Sequence, residues 1–152
     1  MHVQFICWGN ICRSPMAERI ALRLAEDRDL DVQFSSAGIS SEERGNPMDR
    51  RAAALLAEHG YEVEGHGARQ VSEEMAEDVD LFVVAERFHG EQLQQLGVTW
   101  DRIRLVTDFD PEAASGDPLP DPWYGGSEDF QATFEVLERA LPKLLDELEA
   151  RA

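Results

Sequence analysis

The chain holds two cysteines, Cys7 and Cys12, and both lie in one short segment that reads Cys7-Trp8-Gly9-Asn10-Ile11-Cys12-Arg13-Ser14-Pro15. Five residues separate Cys7 from Arg13. A loop of that length can curl until its backbone N–H groups converge on one anion, and a helix beginning behind it adds its positive end. Gly9 and Asn10 tolerate the left-handed backbone that such a nest needs. Arg13 offers a planar fork to two phosphate oxygens. The same dipoles favour the thiolate of Cys7, which is the nucleophilic form. Ser14 can donate a hydrogen bond to that thiolate or ease its departure in a second step. The competing reading is a buried structural Cys7 beside a surface Arg13, since a cysteine and an arginine at this spacing recur by chance. A preceding apolar strand, Gly-Asn inside the loop and Ser-Pro behind it weigh against that reading. The cysteines are too close in sequence to staple the fold, and no further Cys or His stands at zinc-ligand spacing, so neither metal nor cofactor is expected. The glycine–lysine spacing of a nucleotide-binding loop is absent.

A phosphate ester needs a proton on its leaving oxygen. Asp117 and Asp121 each precede a proline within 108–126, a stretch rich in Asp, Pro and Gly that reads as an irregular loop. Pro122 restricts the backbone of Asp121 and helps aim it. Asp117 reads as a turn residue. Trp123 and Tyr124 follow the acid and could wall in a flat ring; the alternative is that they pack the loop onto the core.

These residues need elements to position them. Apolar runs predict strands at 3–7, 30–35, 81–85 and 102–106. Helical patterns cover 15–28, 49–59, 72–78 and 86–96, and a last helix starts near Ser127. Asp49 and Ser72 are candidate caps, and Gly60 and Gly97 candidate stops. Apolar strands separated by helices predict an α/β fold, a four-stranded parallel sheet with helices on both faces. The nucleophile then sits at the first strand–helix turn, the sheet edge where such folds bind ligands.

The length of 152 residues suits one domain spanning 1–152, and 43% apolar residues is ordinary for a globular chain. A net charge of −17 excludes nucleic acid and anionic membrane as natural partners. It also means that a few fixed positive groups must overcome the global field to admit a phosphate. No run reaches the length of a membrane span, and the first residues carry neither a basic leader nor a cleavage site, so a cytoplasmic monomer is expected.

The segment from Val3 through Glu18 resembles the phosphate-binding loop of the low-molecular-weight protein tyrosine phosphatases. The resemblance continues through Ser36-Ala37-Gly38, Gly45, Asp49-Arg50-Arg51-Ala52, His59-Gly60, Ala68-Arg69-Gln70 and Asp121-Pro122-Trp123-Tyr124-Gly125. It implies a Rossmann-like fold and a phosphocysteine on Cys7. Arg13 and the amides of residues 8–14 would bind phosphate, and Asp121 would serve as general acid and then base. It further implies an Asn10–Ser36 hydrogen-bond network, a Glu18–His66 pair beneath the loop, and Cys12 as a redox guard able to form a disulfide with Cys7. Substrates would be phosphotyrosine-containing proteins, with a tyrosine kinase acting in opposition. Two departures bear on the mouth of the site. Relatives carry tyrosine where Trp123 stands, and often an aromatic residue near Glu42, where this chain has Ser41-Glu42-Glu43; Trp8 is larger than its usual counterpart and can replace part of that wall. Arsenate reductases on this fold use further cysteines, which are missing after Cys12. Related arginine phosphatases carry threonine where Ile11 stands. Cys7, Arg13 and Asp121 together argue against a non-catalytic phosphoprotein-binding domain.

Overall fold

A computed structural model describes residues 1–151; Ala152, the last residue of the expected 1–152 span, lies outside the described residues. The strands are β1 (His2–Cys7), β2 (Gln33–Gly38), β3 (Leu81–Val84) and β4 (Ile103–Leu105). They form one parallel sheet in the order β2-β1-β3-β4. The helices are α1 (Arg13–Asp27), α2 (Arg50–Glu58), α3 (Glu73–Glu77), α4 (Arg87–Gln95) and α5 (Ser127–Arg151).

Strand periodicity sorts the core into two layers. Val3, Phe5 and Cys7 of β1 and Leu81 and Val83 of β3 face a cluster that includes Met16 and Ile20 of α1, Leu56 of α2 and Leu137 and Leu141 of α5. Ile6, Phe82 and Val84 face the other layer, with Ala76 of α3 and Leu93 of α4. Both faces of the sheet are therefore covered, which is why its central strands read as unbroken apolar runs. β2 lies on one side of β1 and β3 on the other, so the chain reverses its winding at the end of β1. That crevice is where a sheet of this kind binds ligands.

β2 runs three residues further than the apolar alternation at 30–35 indicates. Its register pairs Phe5 with Ser36, Ile6 with Ala37 and Cys7 with Gly38, so neighbouring β1 extends a strand through small residues with little strand preference. Leu30 and Val32 instead pack against the core from the α1–β2 connection. β4 is shorter than expected because Val106–Phe109 turns into a 3-10 helix. α1 begins at Arg13, two residues before the expected start, and Pro15 lies in its first turn, where its missing N–H is not needed. Gly38 is required where it stands: a Cβ there would lie 2.7 Å from the Trp8 carbonyl oxygen. The end of β2 thus presses directly against the loop that follows β1.

Candidate active site

The loop between β1 and α1 is held by buried hydrogen bonds centred on Asn10. Asn10 adopts φ 60, a left-handed conformation that asparagine tolerates better than most residues. Its Nδ2 donates to Ser14 Oγ at 2.8 Å and to Ser36 Oγ at 3.0 Å, and its Oδ1 accepts from the Arg69 amide at 3.0 Å. The Ser36 hydroxyl in turn donates to Glu18 Oε1 at 2.5 Å. Because Ser14 Oγ accepts from Asn10, its hydroxyl proton is free to point at Cys7 Sγ, 3.0 Å away. The chain of hydrogen bonds thus reaches the Cys7 sulfur.

The expected pairing of Glu18 with His66 is not what forms. Glu18 takes the Ser36 hydroxyl, while His66 Nε2 donates to the Asn10 carbonyl at 2.6 Å. The loop backbone offers His66 an acceptor nearer than the carboxylate, which is already engaged from the β2 side. The two residues hold the loop from separate sides.

Arg13 is 3% exposed. Its Nη1 donates to Glu86 Oε2 and to the Leu119 carbonyl, each at 2.8 Å. Its Nη2 lies 3.6 Å from Asp121 Oδ2. One edge of the fork is thus fixed by Glu86 after β3 and by the Leu119 carbonyl, and Arg13 also lines the cleft. Glu86 and Leu119 were not among the residues expected from sequence. A carboxylate directly after the apolar run of β3, at the same sheet edge as Cys7, was the available signal for Glu86; a backbone carbonyl leaves none.

Cys7, Arg13 and Asp121 line one cleft of about 180 Å³. Gly9, Ile11 and Cys12 also line it, and the more exposed Trp8, Glu42, Glu43, Trp123 and Tyr124 form its rim. Asn10 and Ser14 are buried behind it. The Asp121 carboxylate also accepts from the Trp123 amide at 3.1 Å, which orients it within the loop. Asp117 caps the Ala114 amide at 2.9 Å, a turn contact, and does not line the cleft. Burial, reinforced by Asp49, pushes the Cys12 thiol well above its ordinary range. Burial, reinforced by Arg13, pushes His89 down to about 4, and its Nδ1 has no hydrogen-bond partner.

Arg51, in the first turn of α2, clamps the loop that carries Asp121. Its Nη1 donates to the Gly125 carbonyl at 3.1 Å and its Nη2 to the Trp123 carbonyl at 3.2 Å. Its guanidinium carbon lies 4.5 Å from the Phe130 ring centroid. Asp49 caps α2 and pairs with Arg51 at 3.0 Å, which fixes the clamp at its base. Among the described residues, no group of three or more His, Cys, Asp or Glu side chains is placed to hold a metal ion, and no helix is long and apolar enough to cross a membrane.

A family model described as "Low molecular weight phosphotyrosine protein phosphatase" matches residues 2–152. The chain belongs to that family. It is 40% identical over 154 residues to low molecular weight protein-tyrosine phosphatase A of Mycobacterium tuberculosis, covering 99% of this chain and 93% of the relative. A solved protein tyrosine phosphatase from Entamoeba histolytica superposes with a TM-score of 0.91 at 28% identity, covering 99% of this chain and 97% of that one. The YwlE arginine phosphatase, solved as a serine variant with a phosphorylated active-site serine, superposes with a TM-score of 0.88 at 27% identity, covering 98% and 96%. The family resemblance drawn from residues 3–18 and from the segment at Asp121 is thus matched along nearly the whole chain.

Proposed function

We propose that the chain hydrolyses phosphotyrosine in proteins by way of a phosphocysteine on Cys7. The observation that carries this reading is the meeting of Cys7, Arg13 and Asp121 in one cleft, with Ser14 Oγ in hydrogen-bond contact with the Cys7 sulfur at 3.0 Å. The Cys7 thiolate attacks phosphorus in line, the Sγ–P bond forms, and the bond from phosphorus to the tyrosyl oxygen breaks. Protonated Asp121 gives its proton to that leaving oxygen. Asp121, now a carboxylate, takes a proton from water as the water oxygen bonds to phosphorus. The Sγ–P bond then breaks and its electron pair returns to Cys7, where the Ser14 hydroxyl receives it. Loop amides, the N-terminus of α1 and the free edge of Arg13 hold the equatorial oxygens throughout.

Ile11 lines the cleft with an apolar side chain, which supports a tyrosine ring rather than a guanidinium in the pocket. Two cysteines leave no relay for arsenate reduction. The reading places the enzyme as a cytoplasmic monomer opposite a tyrosine kinase. Its test is an assay of wild type, Cys7→Ser and Asp121→Ala on phosphotyrosine, phosphoserine and phosphoarginine peptides and on arsenate. Wild type turns over phosphotyrosine, Cys7→Ser abolishes that turnover, and Asp121→Ala slows it roughly 10²–10⁴-fold. Absent phosphotyrosine turnover, or turnover that survives Cys7→Ser, overturns the reading.

A further inference from the structure

Charge is unevenly distributed over the cleft. Arg13 lies at the floor and is the one cationic side chain among the residues that line it. The rim carries Glu42 and Glu43. Glu43 accepts from Asn46 Nδ2 at 2.7 Å, which ties the Ser41-Glu42-Glu43 turn in place. Glu42 is exposed and has no hydrogen-bond or ion-pair partner among the described residues. Arg44 and Arg50, the cationic residues that follow it most closely in sequence, do not line the cleft.

The rim is also unusually aromatic. Trp8 and Trp123 are each 39% exposed and Tyr124 is 95% exposed. Two of these rings are backed. Trp8 stacks on Phe88 with centroids 6.1 Å apart and planes at 26°, and Trp123 sits against Arg51. The Trp123 face toward Arg51 already holds a guanidinium, whereas the exposed Trp8 face carries negative quadrupole density and attracts ammonium and guanidinium groups. Carboxylates and aromatic faces thus surround the entrance, and both kinds of group favour a cation. Meanwhile the chain carries −17 overall, so a bare phosphopeptide dianion approaches against the field. A positive charge carried beside the phosphate reverses that repulsion at the entrance without competing for Arg13 below.

We propose that the rim selects phosphotyrosines flanked by lysine or arginine, with Glu42 pairing with the flanking cation and the Trp8 and Tyr124 faces receiving its stem. This rests on the phosphotyrosine phosphatase reading above and names the class of sequence that reaches the site. The phosphotyrosine descends to Cys7 and Arg13, while the neighbouring basic side chain stays at the solvent edge. Pairs at such an edge act chiefly on encounter and screen readily with salt.

The test is a panel of phosphotyrosine peptides that differ only in carrying arginine, alanine or glutamate beside the phosphotyrosine, with a matched phosphoarginine peptide. The value of kcat/KM is taken for wild type, Glu42→Gln, Glu42→Lys and Trp8→Leu, each divided by the same enzyme's value on p-nitrophenyl phosphate. Wild type is expected to prefer the arginine-flanked over the glutamate-flanked peptide by about tenfold at low salt, with the preference shrinking as salt rises. Glu42→Gln narrows the preference, Glu42→Lys erases or inverts it, and Trp8→Leu weakens it while keeping its order. Equal rates across a panel that is fully turned over defeat the proposal and leave the phosphatase reading intact. So does a preference that Glu42→Lys leaves unchanged. A phosphoarginine peptide turned over faster than every phosphotyrosine peptide also defeats it, because the rim would then serve the phosphorylated residue itself. No turnover on any phosphotyrosine peptide brings down the phosphatase reading and the proposal with it.

Discussion

Arg51 and Trp123 meet twice: the Arg51 Nη2 donates to the Trp123 carbonyl at 3.2 Å, and its guanidinium carbon lies 5.7 Å from the Trp123 ring centroid. One residue of α2 thus fixes both the backbone and the ring of the segment that carries Asp121. Because the Asp121 carboxylate is itself bound to the Trp123 amide, freedom at Trp123 becomes freedom at the acid.

Arg51→Ala is therefore expected to lower kcat about tenfold, since small misplacements of a proton donor are costly. The loss should be greater for a poor leaving group such as phenyl phosphate than for p-nitrophenyl phosphate, whose leaving group needs little protonation. Arg51→Lys, which keeps the charge without the fork, should fall between. Steady-state and burst kinetics on the two esters check this. A loss equal for both esters would mean that Arg51 supports the fold and not the acid.

The sequence carried most of the floor of the site and little of its support. Cys7, Arg13 and Asp121, singled out from the loop after the first apolar strand and from the Asp-Pro segment, do come together in one cleft. The four strands were legible because two-sided burial leaves apolar runs. The C-terminal half of β2 was not, since Ser36, Ala37 and Gly38 are ordered by the register of β1 rather than by their own preference. The grip of Glu86 and Leu119 on Arg13 joins residues 73 and 106 positions apart, and Arg51 reaches Trp123 across 72; such pairings appear only in the folded chain. Glu18 and His66 were expected to pair with each other, whereas the fold gives Glu18 the Ser36 hydroxyl and His66 the Asn10 carbonyl.

Asn10 should be the most costly polar substitution behind the loop. Asn10→Ala removes two donors and one acceptor in a buried setting and places a Cβ-bearing residue with no local hydrogen bond at φ 60. The cost is roughly 3 kcal/mol or more. Asn10→Gly removes the same hydrogen bonds but relieves the backbone, and should recover about 1 kcal/mol of that loss. Urea unfolding of the three proteins separates the two terms. A glycine variant as stable as wild type would show the network to be energetically idle.

Cys12 is buried, and burial raises its thiol above the ordinary value, so it is held protonated. Iodoacetamide at neutral pH should label Cys7 and spare Cys12 in the native protein. Mild peroxide is expected to convert Cys7 to a sulfenic acid, which loses water with the Cys12 thiol to form a disulfide that dithiothreitol reverses. In Cys12→Ser the same treatment should leave a larger fraction of activity beyond rescue. Equal recovery in both proteins would remove the guard role.

His89 gives a pH dependence whose sign is fixed by its burial. The ring is 2% exposed, its pKa is lowered from 6.5 to about 4 by burial with Arg13 adding repulsion, and its Nδ1 has no partner to share a proton. Above the unfolded value both states are neutral, and the group contributes its full stabilisation. Between 6.5 and about 4 the unfolded chain takes up a proton that the folded chain refuses, so stability is lost as pH falls through that window. The loss attributable to this one ring is on the order of 3 kcal/mol. His89→Leu and His89→Gln should lack it, so their urea midpoints should fall less than that of wild type between neutral and mildly acidic pH. Carboxylates elsewhere titrate in all three proteins, so the difference between the profiles is the quantity to read. Parallel profiles would place the His89 proton on a group the folded state accommodates. Divergence confined to this window would show that His89 stays neutral beside Arg13 in the folded chain.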